Sequence, residues 1–245
     1  MPELSLVMPM AGRGTRFAAG GEPRPKPLLE IAGRPFFWWA AESVRRAADV
    51  GEMLFVVLEE HVRDFAIDAA ILRFYPEARI LALPEPTAGA AETAARGVES
   101  LRSSGPLALN DCDHAFRASG LGALAASAEA ALVGFRSDDP AYSYVRFGED
   151  GRVCGTVEKE VAGPYAIAGC YLFASRAAFT AAWDGYRRDC PYEELFVSGL
   201  YNQIAARGGS LRFAPLDSHV SFGTPAELAR VRPEALEALF AEPVA

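Results

Sequence analysis

Apolar positions in the first half of the chain fall into short continuous runs that alternate with stretches of helical spacing. Leu4 to Met10 is one such run and predicts a buried strand. The segment FFWWAAESVRRAA, from about Pro35 to residue 48, predicts a helix, and Met53 to Leu58 (MLFVVL) a second strand. From His61 to Phe74 the residues Val62, Phe65, Ile67, Ala70 and Ile71 are apolar at helical spacing and predict one helix. ARILALP predicts a third strand and Ala88 to Leu101 a helix. PLALNDCD predicts a fourth strand ending in acids, with a small-residue helix around Leu121 to Ala128. This βαβα order implies an α/β fold, Rossmann-like and three-layered (α/β/α), with a mainly parallel mixed central sheet.

The pattern changes near Ala130. AALVGFRS, AYSYVRFGEDGRVCGTVEKE and YAIAGCYLFAS are strand-rich, and Gly148-Glu149-Asp150-Gly151 reads as a hairpin turn. Helical segments follow at Ala177–Tyr186 and Tyr192–Arg207, then a last strand, SLRFAPLD. Thr224 to Phe240 predicts a closing helix with Thr224 as N-cap and Pro225 in its first turn. No linker and no internal repeat divides the chain, so residues 1–245 read as one domain with halves 1–128 and 129–245.

Composition narrows the function classes. A chain of 245 residues with 51% apolar and 23% charged residues can bury a sizeable core. Its formal net charge of −8 argues against nucleic-acid or membrane-surface binding. The amino terminus lacks a basic n-region and a cleavage site, and no apolar run reaches bilayer length. Cys112, Cys154, Cys170 and Cys190 show no C-x-x-C spacing, which reads as reduced thiols in a cytoplasmic protein.

Candidate chemistry starts at Met10–Leu28 (MAGRGTRFAAGGEPRPKPL), the loop between the first strand and the first long helix. Gly12, Gly14, Gly20 and Gly21 let backbone amides approach an anion, and Arg16 and Lys26 add fixed positive charge, a combination suited to a polyphosphate. The dinucleotide pattern G-x-G-x-x-G fails at Phe17, and no Gly-Lys-Ser/Thr follows at P-loop spacing. Of the 24 Lys+Arg, only Lys26 and Lys159 are lysines. A chain that otherwise uses arginine keeps lysine where a compact ammonium on a flexible stem is needed.

The run Gly12-x-Gly14-Thr15-Arg16-Phe17, a short loop, and Pro25-Lys26-Pro27-Leu28 resembles the signature of the sugar-phosphate nucleotidyltransferases. That resemblance implies transfer of NMP from a nucleoside triphosphate to a phosphate monoester, foremost a sugar 1-phosphate, with pyrophosphate released and a nucleotide-sugar formed. It also implies that Ala11, Gly12, Gly14, Thr15 and Arg16 bind the nucleotide, with the loop amides and Arg16 on the β- and γ-phosphates. Lys26 is then expected near the α-phosphate and Lys159 on the incoming phosphate. Pro84–Thr93 falls where the family contacts the base: Gly89 would admit a flat ring, and Thr87 would cap the helix.

Asn110-Asp111-Cys112-Asp113-His114 lies at a strand end, where carboxylates can hold Mg²⁺. By the resemblance Asp113 is the metal ligand. Asp111, two residues away, shares its face in an ideal strand and could assist the metal or the second substrate. His114 reads as a hydrogen-bonding turn residue rather than a ligand. Val157-Glu158-Lys159 resembles the family's E-K-P segment, with Glu158 expected on sugar hydroxyls; Glu160 stands in place of the proline. The stretch Tyr165–Phe173, with Gly169, fits the family's Y-A-x-x-G-x-Y-x-F. Ser143 stands where sugar-binding members often have glycine, and is assigned to the second-substrate site with Asp111, Glu158, Lys159 and Gly169. Ser221 replaces the aspartate of D-x-G-T-P, so either one carboxylate suffices for the metal, or Asp217 or a substrate phosphate completes its shell.

Several alternatives stay open on the sequence. One is a cytidylyltransferase for a non-sugar phosphate such as phosphocholine. Another is an A-type-fold glycosyltransferase using Asp111 and Asp113 as D-x-D, and a third is an inactive relative that senses nucleotide. Base identity and oligomeric state are not fixed by these residues.

Overall fold

The computed structural model describes residues 3–241. In chain order its first half comprises β1 (Leu4–Pro9), α1 (Thr15–Ala18), a 3-10 turn (Lys26–Leu28), β2 (Glu30–Ile31), β3 (Arg34–Pro35), α2 (Phe36–Ala47), β4 (Val50–Leu58), α3 (Glu59–Phe65) and α4 (Ile67–Phe74). Then come β5 (Arg79–Leu83), α5 (Ala90–Glu99), β6 (Leu107–Asn110), β7 (His114–Arg117) and α6 (Leu121–Ala125). The second half adds β8 (Ala130–Arg136), β9 (Ser143–Phe147), β10 (Val153–Glu158), β11 (Tyr165–Phe173), α7 (Arg176–Asp189) and α8 (Gly199–Ala206). It closes with β12 (Leu211–Pro215), β13 (Ser218–Ser221), α9 (Pro225–Leu228) and α10 (Pro233–Phe240).

Nine strands form one sheet in the order β10-β9-β11-β6-β1-β4-β5, with β8 pairing both β11 and β12. β1 is parallel to β4 and β6, and β4 to β5; β11 runs antiparallel to β6 and carries the sheet into the second half. Alternation along β1 explains its central place. Leu4, Leu6 and Met8 enter the core beneath α2, while Val7 enters the core beneath α5, so both faces of the strand are covered.

The α5 face is tightly packed. A Cβ on Gly97 would lie 2.7 Å from Val7 Cγ1 and 2.8 Å from Val56 Cγ2, so the helix rests on the sheet at a position with no side chain. Gly97→Val is expected to lower stability by about 1–3 kcal/mol through overpacking, read as a lower denaturation midpoint at unchanged slope.

The structure corrects three helices. The stretch His61–Phe74 is broken at Ala66, whose φ is +49°, into α3 and α4. Phe65 and Ile67 are two residues apart and cannot share a helical face. The break turns Ile67 and Ile71 fully inward and leaves Phe65 38% exposed. Residues 192–198 are not helical: Leu195 N donates to Ala88 O at 3.1 Å and Leu195 O accepts from Ala91 N at 2.8 Å, a tertiary pairing that replaces helical bonds. The closing helix stops at Leu228 and restarts at Pro233, which has no N–H to continue the ladder. β13, unforeseen in the sequence, pairs antiparallel with β7. The four cysteines are free, and among the described residues no helix is long and apolar enough to cross a membrane.

Candidate active site

The end of β1 delivers the chain into the glycine loop. Gly14 has φ +59°, and a Cβ there would also press on Lys26 Cβ at 3.1 Å, so glycine is required on both counts. Among the described residues the amides of Gly12, Arg13 and Gly14 have no acceptor within the protein. Lys26 begins the 3-10 turn between Pro25 and Pro27, whose rings fix its flanks, and its Nζ donates to Asp113 Oδ2 at 2.8 Å.

Asp113 is reached from β6. The strand ends at Asn110, so Asp111-Cys112-Asp113 lies just past it as an irregular link to β7 rather than within a strand. Asp111 N donates to Gly169 O at 2.9 Å. Gly169 has φ +70°, and a Cβ on it would come within 2.9 Å of Asp111 Oδ2; a Cβ on Gly223 would strike Asp113 Oδ2. Both glycines keep space open around carboxylate oxygens. Burial, reinforced by the neighbouring Asp113 carboxylate, pushes the Asp111 pKa above the usual carboxylate range. Burial also works against the charge of Asp113, but the Lys26 ammonium outweighs it and holds Asp113 below the usual carboxylate range. Lys26 in turn loses hydration, and Asp113 more than compensates, raising it above the ordinary lysine value. Two carboxylates with one ammonium leave a site rich in negative charge. Mg²⁺ binds through one or two carboxylates plus phosphate oxygens and water, and this donor set fits it; among the described residues no cluster of three or more acidic, His or Cys ligands exists.

On the other side, β10 ends in Glu158. Its carboxylate accepts from Ser143 Oγ at 2.7 Å and from Ser198 Oγ. Burial pushes the Glu158 pKa up, with the two serines working against that rise. Lys159 follows with φ +54°; its N donates to Tyr142 O at 3.2 Å, and its Nζ stands 5.2 Å from the centre of the Phe196 ring. The replacement of the expected proline by Glu160 bears on this geometry, because a proline drives the residue before it toward extended backbone.

Two clefts meet here. The first, of about 480 Å³, is lined by Ala11, Gly12, Gly14, Arg16, Lys26, Thr87 and Gly89 among others. The second, of about 210 Å³, is lined by Ser143, Glu158 and Gly169 among others. Arg16, Asp111, Asp113 and Lys159 line both. Of the residues singled out in the sequence, Thr15 lies outside both linings and opens the one-turn helix α1. Thr87 is not the cap of α5: Gly89 holds that position, and the Thr87 hydroxyl donates to Gly89 O at 2.9 Å. Gly89 itself has φ +156°, and a Cβ there would meet Leu195 backbone atoms at 2.6 Å, so chain packing alone demands glycine. Asp217 is exposed, accepts from Ser119 Oγ at 2.9 Å and lines neither cleft, so it does not replace the aspartate absent at 221. His114 is not a hydrogen-bonded turn residue. It starts β7, is 3% exposed, and among the described residues neither ring nitrogen has a hydrogen-bond partner; burial lowers its pKa to about 4.

Sequence reading missed Phe196, which enters both clefts from the irregular segment before α8, and Glu227 and Tyr142 in the second cleft. For Glu227 a signal existed in Thr224-x-x-Glu227, a helix-start signature. Thr224 does cap α9, accepting from Glu227 N at 3.1 Å.

The fold is shared with solved nucleotidyltransferases. A nucleoside-diphosphate-sugar pyrophosphorylase from Vibrio cholerae RC9 superposes with a TM-score of 0.79 at 22% identity, over 91% of this chain and 98% of that one. An inositol-1-phosphate CTP transferase from T. maritima gives a TM-score of 0.76 at 17% identity, over 99% and 98%. In sequence, 64 residues are 38% identical to the 2-C-methyl-D-erythritol 4-phosphate cytidylyltransferase of Chromobacterium violaceum; the match spans 25% of this chain and 27% of that protein. The family model for the MobA-like NTP transferase domain matches residues 7–209, from β1 beneath the glycine loop to just past α8; it takes in the lining of the first cleft, while His219–Glu227 of the second cleft lie beyond it. By that match the chain belongs to the MobA-like NTP transferase domain family and is a nucleotidyltransferase.

Proposed function

We propose that this enzyme transfers NMP from a nucleoside triphosphate to a phosphate monoester, foremost a sugar 1-phosphate, releasing pyrophosphate. Residues 1–128 would bind the triphosphate in the first cleft and residues 129–245 would cover the acceptor in the second. The observation that carries this reading is the seam between the clefts, lined from both sides by Arg16, Lys159, Asp111 and Asp113. The named activities of the V. cholerae and T. maritima structures support a sugar or cyclitol phosphate as acceptor class.

Attack by an acceptor phosphate oxygen on the α-phosphorus breaks the α–β bridge and expels pyrophosphate. The attacking oxygen is already anionic, so no protein base is needed, and the work is alignment and neutralisation of two anions. The free amides of Gly12, Arg13 and Gly14 with Arg16 hold the outer phosphates. Lys26 stands by the α-phosphate, and Lys159, aimed along the Phe196 face, holds the acceptor phosphate. Mg²⁺, which Asp113 and Asp111 would hold, supplies further positive charge to phosphate oxygens when bound. Glu158, fixed by Ser143 and Ser198, is positioned to accept from acceptor hydroxyls.

A pyrophosphate-release screen of four triphosphates against a panel of phosphate monoesters, with Mg²⁺, tests this. Release that depends on both a triphosphate and a monoester is expected. No release with any pair, or transfer only from a ready-made nucleotide-sugar, would reject it.

A further inference from the structure

Ser221, at the position of the expected aspartate, does not leave the second cleft without a carboxylate. Its Oγ donates to Glu227 Oε1 at 2.8 Å, and the Tyr142 hydroxyl donates to the same oxygen. Thr224 Oγ1 lies 3.1 Å from Oε2. The Glu227 side chain is therefore held by three hydroxyls from two segments, beyond what capping a one-turn helix requires. Its Oε2 lies 3.5 Å from where a Gly223 Cβ would be, a point that also abuts Asp113 Oδ2, so that oxygen borders the open space beside the acids. Among the described residues neither Glu227 nor Glu158 is ion-paired with an arginine or lysine.

A second, independent observation points to a ligand in the same cleft. His114 lines it, is 3% exposed, and among the described residues neither of its ring nitrogens has a hydrogen-bond partner. A buried polar group left unpaired is costly, and an imidazole offers at once a donor and an acceptor. Glu227, Glu158 and His114 together present more acceptors than donors to whatever enters. A group whose polar end is wrapped in methyls would leave the imidazole unsatisfied and offer the two carboxylates no donor beyond the hydroxyls they already hold.

We propose that Glu227 is a specificity-determining residue for the acceptor: with His114 it reads hydrogen-bond donors, either hydroxyls or an unmethylated ammonium, on the organic part of the phosphate monoester. This rests on the nucleotidyl-transfer reading, and it discriminates against phosphocholine, which carries no donor on its ammonium.

The test is calorimetric binding of glycerol 3-phosphate, glucose 1-phosphate, phosphoethanolamine, phosphocholine and inorganic phosphate to the full chain with Mg²⁺, for wild type and Glu227→Gln. Expected is at least one donor-bearing ester bound about tenfold or more tighter than phosphocholine and inorganic phosphate. Glu227→Gln should weaken that ester about tenfold if it carries hydroxyls, and about a hundredfold if it carries an ammonium. Inorganic phosphate and triphosphate affinity should be unchanged in the variant. Ser221→Ala, which removes one holder of the carboxylate, should give a smaller loss in the same direction. Phosphocholine bound as tightly as any donor-bearing ester would overturn the proposal. So would no ester binding better than inorganic phosphate, or a lowered Tm in Glu227→Gln with every affinity unchanged. Absence of pyrophosphate release by wild type, by contrast, rejects the transfer reading whatever these affinities are.

Discussion

Replacing Lys26 by alanine is expected to lower kcat about 10²–10³-fold, the loss typical of removing one preorganised donor to developing charge. Lys26 stands between two prolines and reaches Asp113 Oδ2 at 2.8 Å, so its ammonium is the cation hydrogen-bonded to the acidic link. Without it, Asp111 and Asp113 would repel each other and any incoming phosphate. Stability should suffer much less. The two side chains are 26% and 24% exposed, so solvent screens the pair, and its loss should cost nearer ~1 kcal/mol than the ~3–5 kcal/mol of a fully buried pair. Lys26→Arg is the sharper test. Its charge is retained, but a planar fork does not reproduce the point charge on a flexible stem that meets Asp113 Oδ2 at 2.8 Å. Single-turnover rates that stay within a few-fold of wild type in Lys26→Ala would remove Lys26 from the proposed chemistry.

What could be read from the sequence divides along a physical line. The glycine loop, Lys26, Asp111–Asp113 and Glu158-Lys159 are contiguous motifs; the glycine loop and Asp111–Asp113 follow the parallel strands β1 and β6, whose ends such a sheet gathers without further information, and Glu158-Lys159 ends the antiparallel strand β10. The far wall of the second cleft is assembled differently. Glu227 is turned inward by Ser221 and by Tyr142, 85 residues away, and Phe196 comes from a segment whose helical spacing is overridden by pairing with residues 88–91. Such contacts have no local period to reveal them. The break at Ala66 was readable in principle, since Phe65 and Ile67 conflict on one helical face. β13 was not: Ser218–Ser221 is short and half-buried, and gains its strand character from pairing with β7.

Lys159→Ala is expected to lower kcat/KM for the acceptor about 10²-fold, with triphosphate affinity little changed. The argument is geometric as well as electrostatic. Lys159 is one of three non-glycine residues with positive φ in the described chain, at +54°, a conformation that costs of order 1–3 kcal/mol and persists only where surroundings enforce it. Here the enforcing contacts are the bond from its N to Tyr142 O and the approach of its Nζ to the Phe196 ring, which carry the ammonium to the seam between the clefts. Glu160→Pro separates the two contributions. It would complete the E-K-P pattern that Glu158-Lys159 resembles, yet it should reduce acceptor kcat/KM, because residue 159 would be driven toward extended backbone while its charge is untouched. Lys159→Gly should relieve the backbone cost without restoring activity. If Glu160→Pro matched or exceeded wild type, the left-handed placement of Lys159 would have no part in holding the acceptor phosphate, whatever Lys159→Ala did.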